Sequence, residues 1–318
     1  MSIFLDAART GFYAQKQIFS RSRLISWSHR GRFATGLRLA REVGGARTLD
    51  YGCGDGTFLG LLMNGQPAPR VAVGAEVSEA IVTDCRQRFQ SHKGLHFMLV
   101  EDLGRPAHTH AYDTIYCMEV LEHVVDAAPL LETFHRLLAP GGTLVISVPI
   151  ETGIPVVVKQ IVRRIAGWRG VGHYPGTTGY TPVEMLRSVC ARSTQHIVRP
   201  VITGDDGSTF HDHKGFNWRV LRALINAEFD LVRESTSPVE WLGPQLGTQR
   251  WLIARKRHAV ADSESRSAEA SASADAEASA LRSHADAEVS ALRCRKARTP
   301  KYAIADAMMP LSAGSIHG

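Results

Sequence analysis

The chain has 318 residues, of which 44% are hydrophobic and 21% charged. That excludes wholesale disorder and leaves room for one sizeable core with extensions. The net charge of +6 divides into +7 over residues 1–257, with 30 basic and 23 acidic groups, and −1 over 258–318, with 7 and 8. So modest an excess is compatible with an anionic substrate or a membrane surface and is weak evidence for nucleic acid. Five scattered cysteines, with no Cys-x-x-Cys pair, fit a reducing cytoplasm and argue against a disulfide framework or a thiolate zinc site. No secretory leader is expected, and no window reaches the roughly 18 apolar residues of a membrane span.

In chain order, residues 1–45 read as a helical segment with a basic surface, its helix over Leu24–Arg41 ending at Gly44-Gly45. A strand over Arg47–Asp50, a glycine loop and a helix over Thr57–Met63 follow. Val71–Glu76 is the second strand, Glu79–Gln90 a helix, Leu95–Val100 the third strand and Tyr112–Cys117 the fourth. A helical stretch to Asp126 and another over Pro129–Leu138 precede the turn Pro140-Gly141-Gly142 and the strand Thr143–Val148. Strands alternating with helix-length segments predict βαβ units: a doubly wound, mostly parallel α/β sheet that binds ligands at the carboxyl ends of its strands.

The rhythm breaks over 151–228. A basic amphipathic helix over Ile154–Arg169 leads to a Gly/Tyr/Pro-rich loop, a helix over Val183–Ala191, a His/Asp-rich loop over Asp205–Asn217 and a helix over Trp218–Ala227. These segments are expected to form an inserted helical and loop cap on the substrate side. Phe229–Glu234 and Gln249–Arg255 return as closing strands, one of them antiparallel. From His258 the composition turns to Ala, Ser, Asp and Glu, with ADAEASALR and ADAEVSALR eleven residues apart. That period can align Leu281 with Leu292 on a helix, but 258–318 is expected to be a low-complexity, disordered tail.

The segment Asp50-Tyr51-Gly52-Cys53-Gly54-Asp55-Gly56 stands where the first strand hands over to the first helix. Its spacing is Gly-x-Gly-x-Gly. A dinucleotide fingerprint needs Gly at the position of Thr57, and no Lys follows to make a P-loop, so a ligand without a pyrophosphate is favoured. A nicotinamide-dependent reductase is disfavoured on the same ground. Glu76, closing the second strand, is placed for a carboxylate to accept hydrogen bonds from a ribose diol. With Leu138-Ala139-Pro140-Gly141-Gly142-Thr143-Leu144 downstream, residues 47–149 resemble the Rossmann-like S-adenosylmethionine-dependent methyltransferases. Cys117-Met118-Glu119-Val120-Leu121-Glu122-His123 is similar to their ubiquinone-biosynthesis O-methyltransferase branch. The resemblance implies a seven-stranded sheet and a domain over 46–257. It also implies cofactor contacts from Asp50, Gly52, Cys53, Gly54, Gly56, Glu76, Leu103 and Cys117, with Asp102 beside the adenine. Glu101 stands where the family has Gly before that Asp.

Glu119, Glu122 and His123 share one face if they lie on a helix. Three uses stay open for them. With His213 they could hold Mg²⁺ or Mn²⁺, and that set resembles the metal-dependent small-RNA 2′-O-methyltransferases. His123 could act as a metal-free general base oriented by Glu122 or Glu119. The cluster could also be structural. On the acceptor side, His173, Tyr174 and Tyr180 are candidate contacts. Helix 154–168 offers an apolar face either to the protein or to a membrane, and Arg21, Arg23, Arg30 and Arg32 offer charge to an anionic substrate. The expectation is methyl transfer to a hydroxyl of a glycan, a sugar nucleotide or another small molecule. A quinone-type phenol and an RNA 2′-hydroxyl follow, and a non-catalytic S-adenosylmethionine-binding protein is the rival class.

Overall fold

Strand order in the sheet is β3-β2-β1-β4-β5-β9-β8, in a computed structural model that describes residues 3–19, 23–168, 179–195, 197–203, 209–245 and 247–257. The strands are β1 (Arg47–Tyr51), β2 (Val71–Glu76), β3 (Leu95–Leu99), β4 (Tyr112–Met118), β5 (Leu138–Pro149), β8 (Phe229–Ser237) and β9 (Gln249–Lys256). All neighbours are parallel except β9, which runs against both β5 and β8. The order turns back between β1 and β4, and that switch point opens a crevice at the carboxyl ends. Tyr51 is level with Cys117 there, and Glu76 with Leu99.

The central strands are apolar on both faces because helices cover both. Leu49, Ile115, Leu144 and Ile146 join Phe134, Leu221 and Ile225 in one core. Tyr116, Val145, Trp251 and Ile253 join Leu39, Phe58 and Leu59 in the other. The covering helices include α1 (Ile3–Arg9), α2 (Arg23–Val43), α3 (Thr57–Met63), α4 (Glu79–Arg88), α5 (Ala128–Leu137) and α8 (Trp218–Glu228). Gly36 lets α2 lie close over the sheet: a Cβ there would stand 3.1 Å from Phe58 and 3.3 Å from Trp251. Residues 1–258 make one unit and 259–318 another; the second lies outside the described residues, and the reading of a disordered tail falls there.

Two expectations are corrected. The helix to Asp126 does not form: residues 119–126 are turns. Glu119 adopts a left-handed φ of 58°, and its N–H donates to the Ser147 carbonyl at 2.9 Å, extending the sheet instead of starting a helix. The next helix waits for Ala128, whose N–H is met by the Asp126 carboxylate at 3.1 Å. The His/Asp-rich loop in turn contains half of a hairpin, β6 (Val201–Thr203) with β7 (Thr209–His211). On the cap, α6 (Ile154–Trp168) and α7 (Pro182–Val189) contact one another. No described helix is long and apolar enough to cross a membrane.

Candidate active site

The glycine loop is held by backbone donors and one carboxylate. Gly52 and Cys53 N–H groups both donate to the Ala75 carbonyl, at 2.8 and 3.1 Å. Gly54 N–H donates to Glu76 Oε2 at 2.9 Å, and Val77 N–H to Oε1 at 2.8 Å. A carboxylate has about four acceptor sites, so Glu76 keeps capacity for a diol. Glycine is needed at two points. Gly52 has φ 72°, and a Cβ on it would meet Val120 Cγ2 at 2.4 Å. Gly56 caps α3 in the left-handed region, with Phe97 only 2.8 Å from where a Cβ would be. Thr57 donates instead to Asp55 Oδ1 at 2.6 Å, which ties the loop to itself.

Buried Asp50 closes the floor, and burial followed by the Glu76 charge pushes its carboxyl well above the usual range, against a smaller pull from Arg32. Cys53 and Cys85 both point their thiols at the Gly54 carbonyl, at 3.6 and 3.5 Å. Asp102 lies on the same rim, just beyond β3, paired with Arg105 at 2.6 Å. Leu103 is buried, and its carbonyl accepts from Arg136. Cys117 is buried at the end of β4, its thiol pushed up by burial and then by Glu122.

Sequence reading missed a further wall of this end. The N-terminal segment crosses the loop: Ala14 N–H donates to Asp55 Oδ2 at 3.0 Å, and the Tyr13 ring stands 3.4 Å from a Cβ built on Gly54. Burial, then Glu76 and Asp55, push the Tyr13 phenol up. No periodicity marks this segment; a one-residue π-type widening over Ala14–Ile18 leaves no pattern to read.

The second cluster comes from a turn and a distant loop. Among the described residues, Glu122, His123 and His213 bring one ligand atom each within 4.8 Å of one another. Glu122 Oε1 is 4.0 Å from His123 Nε2 and 3.8 Å from His213 Nδ1. Glu122 is fully buried and neither carboxylate oxygen has a hydrogen bond. Burial, then the Glu119 charge, push its carboxyl well above the usual range. A divalent cation between the three would supply the missing counter-charge, and a carboxylate with two imidazoles is a suitable donor set.

His123 has a defined tautomer. Its Nδ1 lies 2.8 Å from the His211 carbonyl, which can only accept, so Nδ1 carries hydrogen and the neutral ring presents a lone pair at Nε2. His211 N–H donates back to the His123 carbonyl at 2.9 Å. Glu119 is not part of the group. Its carboxylate accepts from Ser147 Oγ at 3.1 Å and faces Arg32 at 3.6 Å; the left-handed turn at Glu119 aims it toward β5 and α2. The structure therefore brings together three of the four expected ligands.

Arg199, which carries no motif, also reaches this cluster. Its Nη2 donates to the Glu122 and Asp212 carbonyls and its Nε to Lys214 O at 3.3 Å. Tyr180 touches the same loop, its hydroxyl accepting from Gly215 N–H at 3.1 Å. Tyr180 also lines a cavity of about 570 Å³ with Val157, Gln160, Ile161, Arg164 and Met185. His173 and Tyr174 lie outside the described residues, as do Arg21 and part of helix 154–168's side chains. Arg30 donates to the Ile18 carbonyl at 3.1 Å.

Residues 26–180 match the family model of a methyltransferase domain. Over that span the chain is similar to methyltransferase domains. Similar curated proteins include a ubiquinone biosynthesis O-methyltransferase of Xanthomonas oryzae, 32% identical over 145 residues, 42% of this chain and 56% of the relative. A trans-aconitate 2-methyltransferase of Variovorax paradoxus is 36% identical over 121 residues, 38% of this chain and 44% of the relative. An uncharacterized 37.1 kDa protein in transposon TN4556 of Streptomyces fradiae is 35% identical over 218 residues, 68% and 55% of the two chains. This chain thus spans about half the length of the curated relatives it matches. Among solved structures, an S-adenosylmethionine-dependent methyltransferase from Mesorhizobium loti is 17% identical, covers 70% of this chain and 96% of its own, and has a TM-score of 0.43. The glycine loop and Glu76 form the cofactor-side candidate, and the Glu122 cluster the acceptor-side one.

Proposed function

We propose that the protein transfers the methyl group of S-adenosylmethionine to a hydroxyl oxygen of a small-molecule acceptor. The observation that carries this is Glu122: a buried carboxylate without a hydrogen bond, facing two imidazoles beyond the end of β4. Glu122, His123 and His213 would hold Mg²⁺ or Mn²⁺, which when bound acts as a Lewis acid that lowers the pKa of an acceptor hydroxyl. Gly52–Gly56 and Glu76 orient the cofactor, whose sulfonium supplies an electrophilic methyl. The acceptor oxygen bonds to that carbon as the carbon–sulfur bond breaks, S-adenosylhomocysteine leaves, and the hydroxyl proton, made acidic by the cation, passes to solvent. A metal-free variant rests on His123, whose Nε2 lone pair is free of the backbone contact made by Nδ1 and accepts that proton directly. The proposed catalytic domain is 46–257, with the acceptor side in its 151–228 insertion.

Among acceptors, a hydroxyl of a glycan or sugar nucleotide leads, and a quinone-type phenol follows on the likeness to the Xanthomonas oryzae protein. The test is a thermal-shift titration with S-adenosylhomocysteine, followed by product detection on a panel of a sugar nucleotide, a catechol and a short RNA, with chelator and with added Mn²⁺. Ligand at 100 times its dissociation constant stabilises the native state by about 2.7 kcal/mol. A clear shift with Mn²⁺-dependent turnover is expected. Turnover unaffected by chelator replaces the metal with His123 as base, and a folded protein that shows no shift overturns the reading altogether.

A further inference from the structure

Glu122 and His213 are 91 positions apart and sit on irregular backbone, so something other than a helix must keep their donor atoms in register. Arg199 spans the gap. One nitrogen of its guanidinium, Nη2, uses its two hydrogens on the Glu122 carbonyl, which belongs to one candidate ligand, and the Asp212 carbonyl, which immediately precedes another. The Nε hydrogen goes to Lys214 O on the far side of His213 at 3.3 Å. The carbonyls on both sides of His213 and that of Glu122 therefore converge on one planar cation. Its face lies 5.2 Å from the Phe216 ring centre, which fixes the plane of the fork. A lysine ammonium cannot reproduce three coplanar directions from one stem.

We propose that Arg199 is a positioning residue for the metal site, holding the Glu122–His123 turn and the His213 loop at ligand spacing before any cation arrives. The inference rests on the metal reading of the Glu122 cluster and adds to it the device that assembles the cluster. Two contacts between His123 and His211, one from the His123 imidazole to the His211 carbonyl and one from the His211 N–H to the His123 carbonyl, also join these segments and do not involve Arg199. Loss of the guanidinium is therefore expected to loosen the spacing of Glu122 and His213 while leaving the hairpin attached.

The experiment measures Mn²⁺ binding by the full chain, without cofactor or acceptor, for wild type, Arg199→Met, Arg199→Lys and Arg199→Ala. S-adenosylhomocysteine binding runs in parallel as the check on fold. Removing partners that orient metal ligands typically weakens affinity by roughly ten- to a hundredfold. A loss of that size is expected for Arg199→Met and a smaller one for Arg199→Lys, with cofactor-analogue binding unchanged. Added guanidinium ion is expected to restore Mn²⁺ affinity to Arg199→Ala, a rescue that a merely loosened fold would not show. If Arg199→Met fails to fold, Arg199→Lys carries the test, since it keeps the charge and loses the fork. Wild-type Mn²⁺ binding retained in full by the folded variants overturns the role of Arg199 alone. A wild-type protein that takes up no Mn²⁺ overturns the metal reading and this inference with it.

Discussion

The two ends of the crevice are built in opposite ways. The core of the proposed cofactor side is local in sequence: Asp50 to Thr57 close on Ala75 and Glu76 through main-chain donors, at the end of a buried parallel strand pair. The proposed acceptor side is gathered from a turn after β4 and a loop before α8, held by the two His123–His211 contacts and by the Arg199 fork. A site made of backbone and glycine tolerates few substitutions but needs few partners. A site made of side chains on irregular loops depends on each partner that orders it.

The sharpest way to break the contrast is to disable one end and leave the other. His123→Ala or Glu122→Ala should cut transfer by about 10²–10⁴-fold, the usual worth of a positioned proton-transfer group, with S-adenosylhomocysteine binding kept in calorimetry. Lost cofactor binding in both variants would show that the ends are not separable. Gly52→Ala is the reciprocal change. It forces a Cβ against Val120 at a left-handed φ, a strain of about 1–3 kcal/mol, so the analogue should bind several-fold to a hundredfold more weakly. Normal affinity in that variant would mean the loop relaxes freely.

A smaller effect is expected at the cap. Thr181 and Glu184 form a reciprocal capping box at the start of α7, next to Tyr180. Thr181→Ala should lower local stability by about 1 kcal/mol, read as faster hydrogen exchange over 182–189. An effect confined to acid pH concerns His29 on α2, the helix whose Arg32 faces Glu119. Burial, then Arg32, push its imidazole down to about 4. Below about 6.5 the unfolded chain takes up a proton that the native state refuses, so stability falls as pH drops toward 4. His29→Gln should flatten that slope and change nothing at neutral pH; an unchanged slope in acid melts would contradict it.

Legibility in the sequence follows the same divide. Strands β1, β2 and β4 and helix α3 announce themselves because a buried parallel strand is a short apolar run and the glycine loop interrupts it at a fixed place. Glu119, Glu122 and His123 fit a helical spacing, yet the left-handed φ at Glu119 is decided by a hydrogen bond to Ser147 in another strand, which no local pattern encodes. Their convergence with His213 could be guessed from residue types. Arg199, between Val198 and Pro200, gives no such signal, because its importance lies in carbonyls contributed from elsewhere.

The thiols turned toward Gly54 make the protein its own reporter of motion. Cys190 is exposed, whereas Cys53 and Cys85 are buried and burial pushes both thiols above their ordinary range, so alkylation of either must wait for the surrounding structure to open. The slow labelling phase then measures the opening frequency of the loop itself, residue by residue if read by peptide mass, with Cys190 as the internal clock for reagent access.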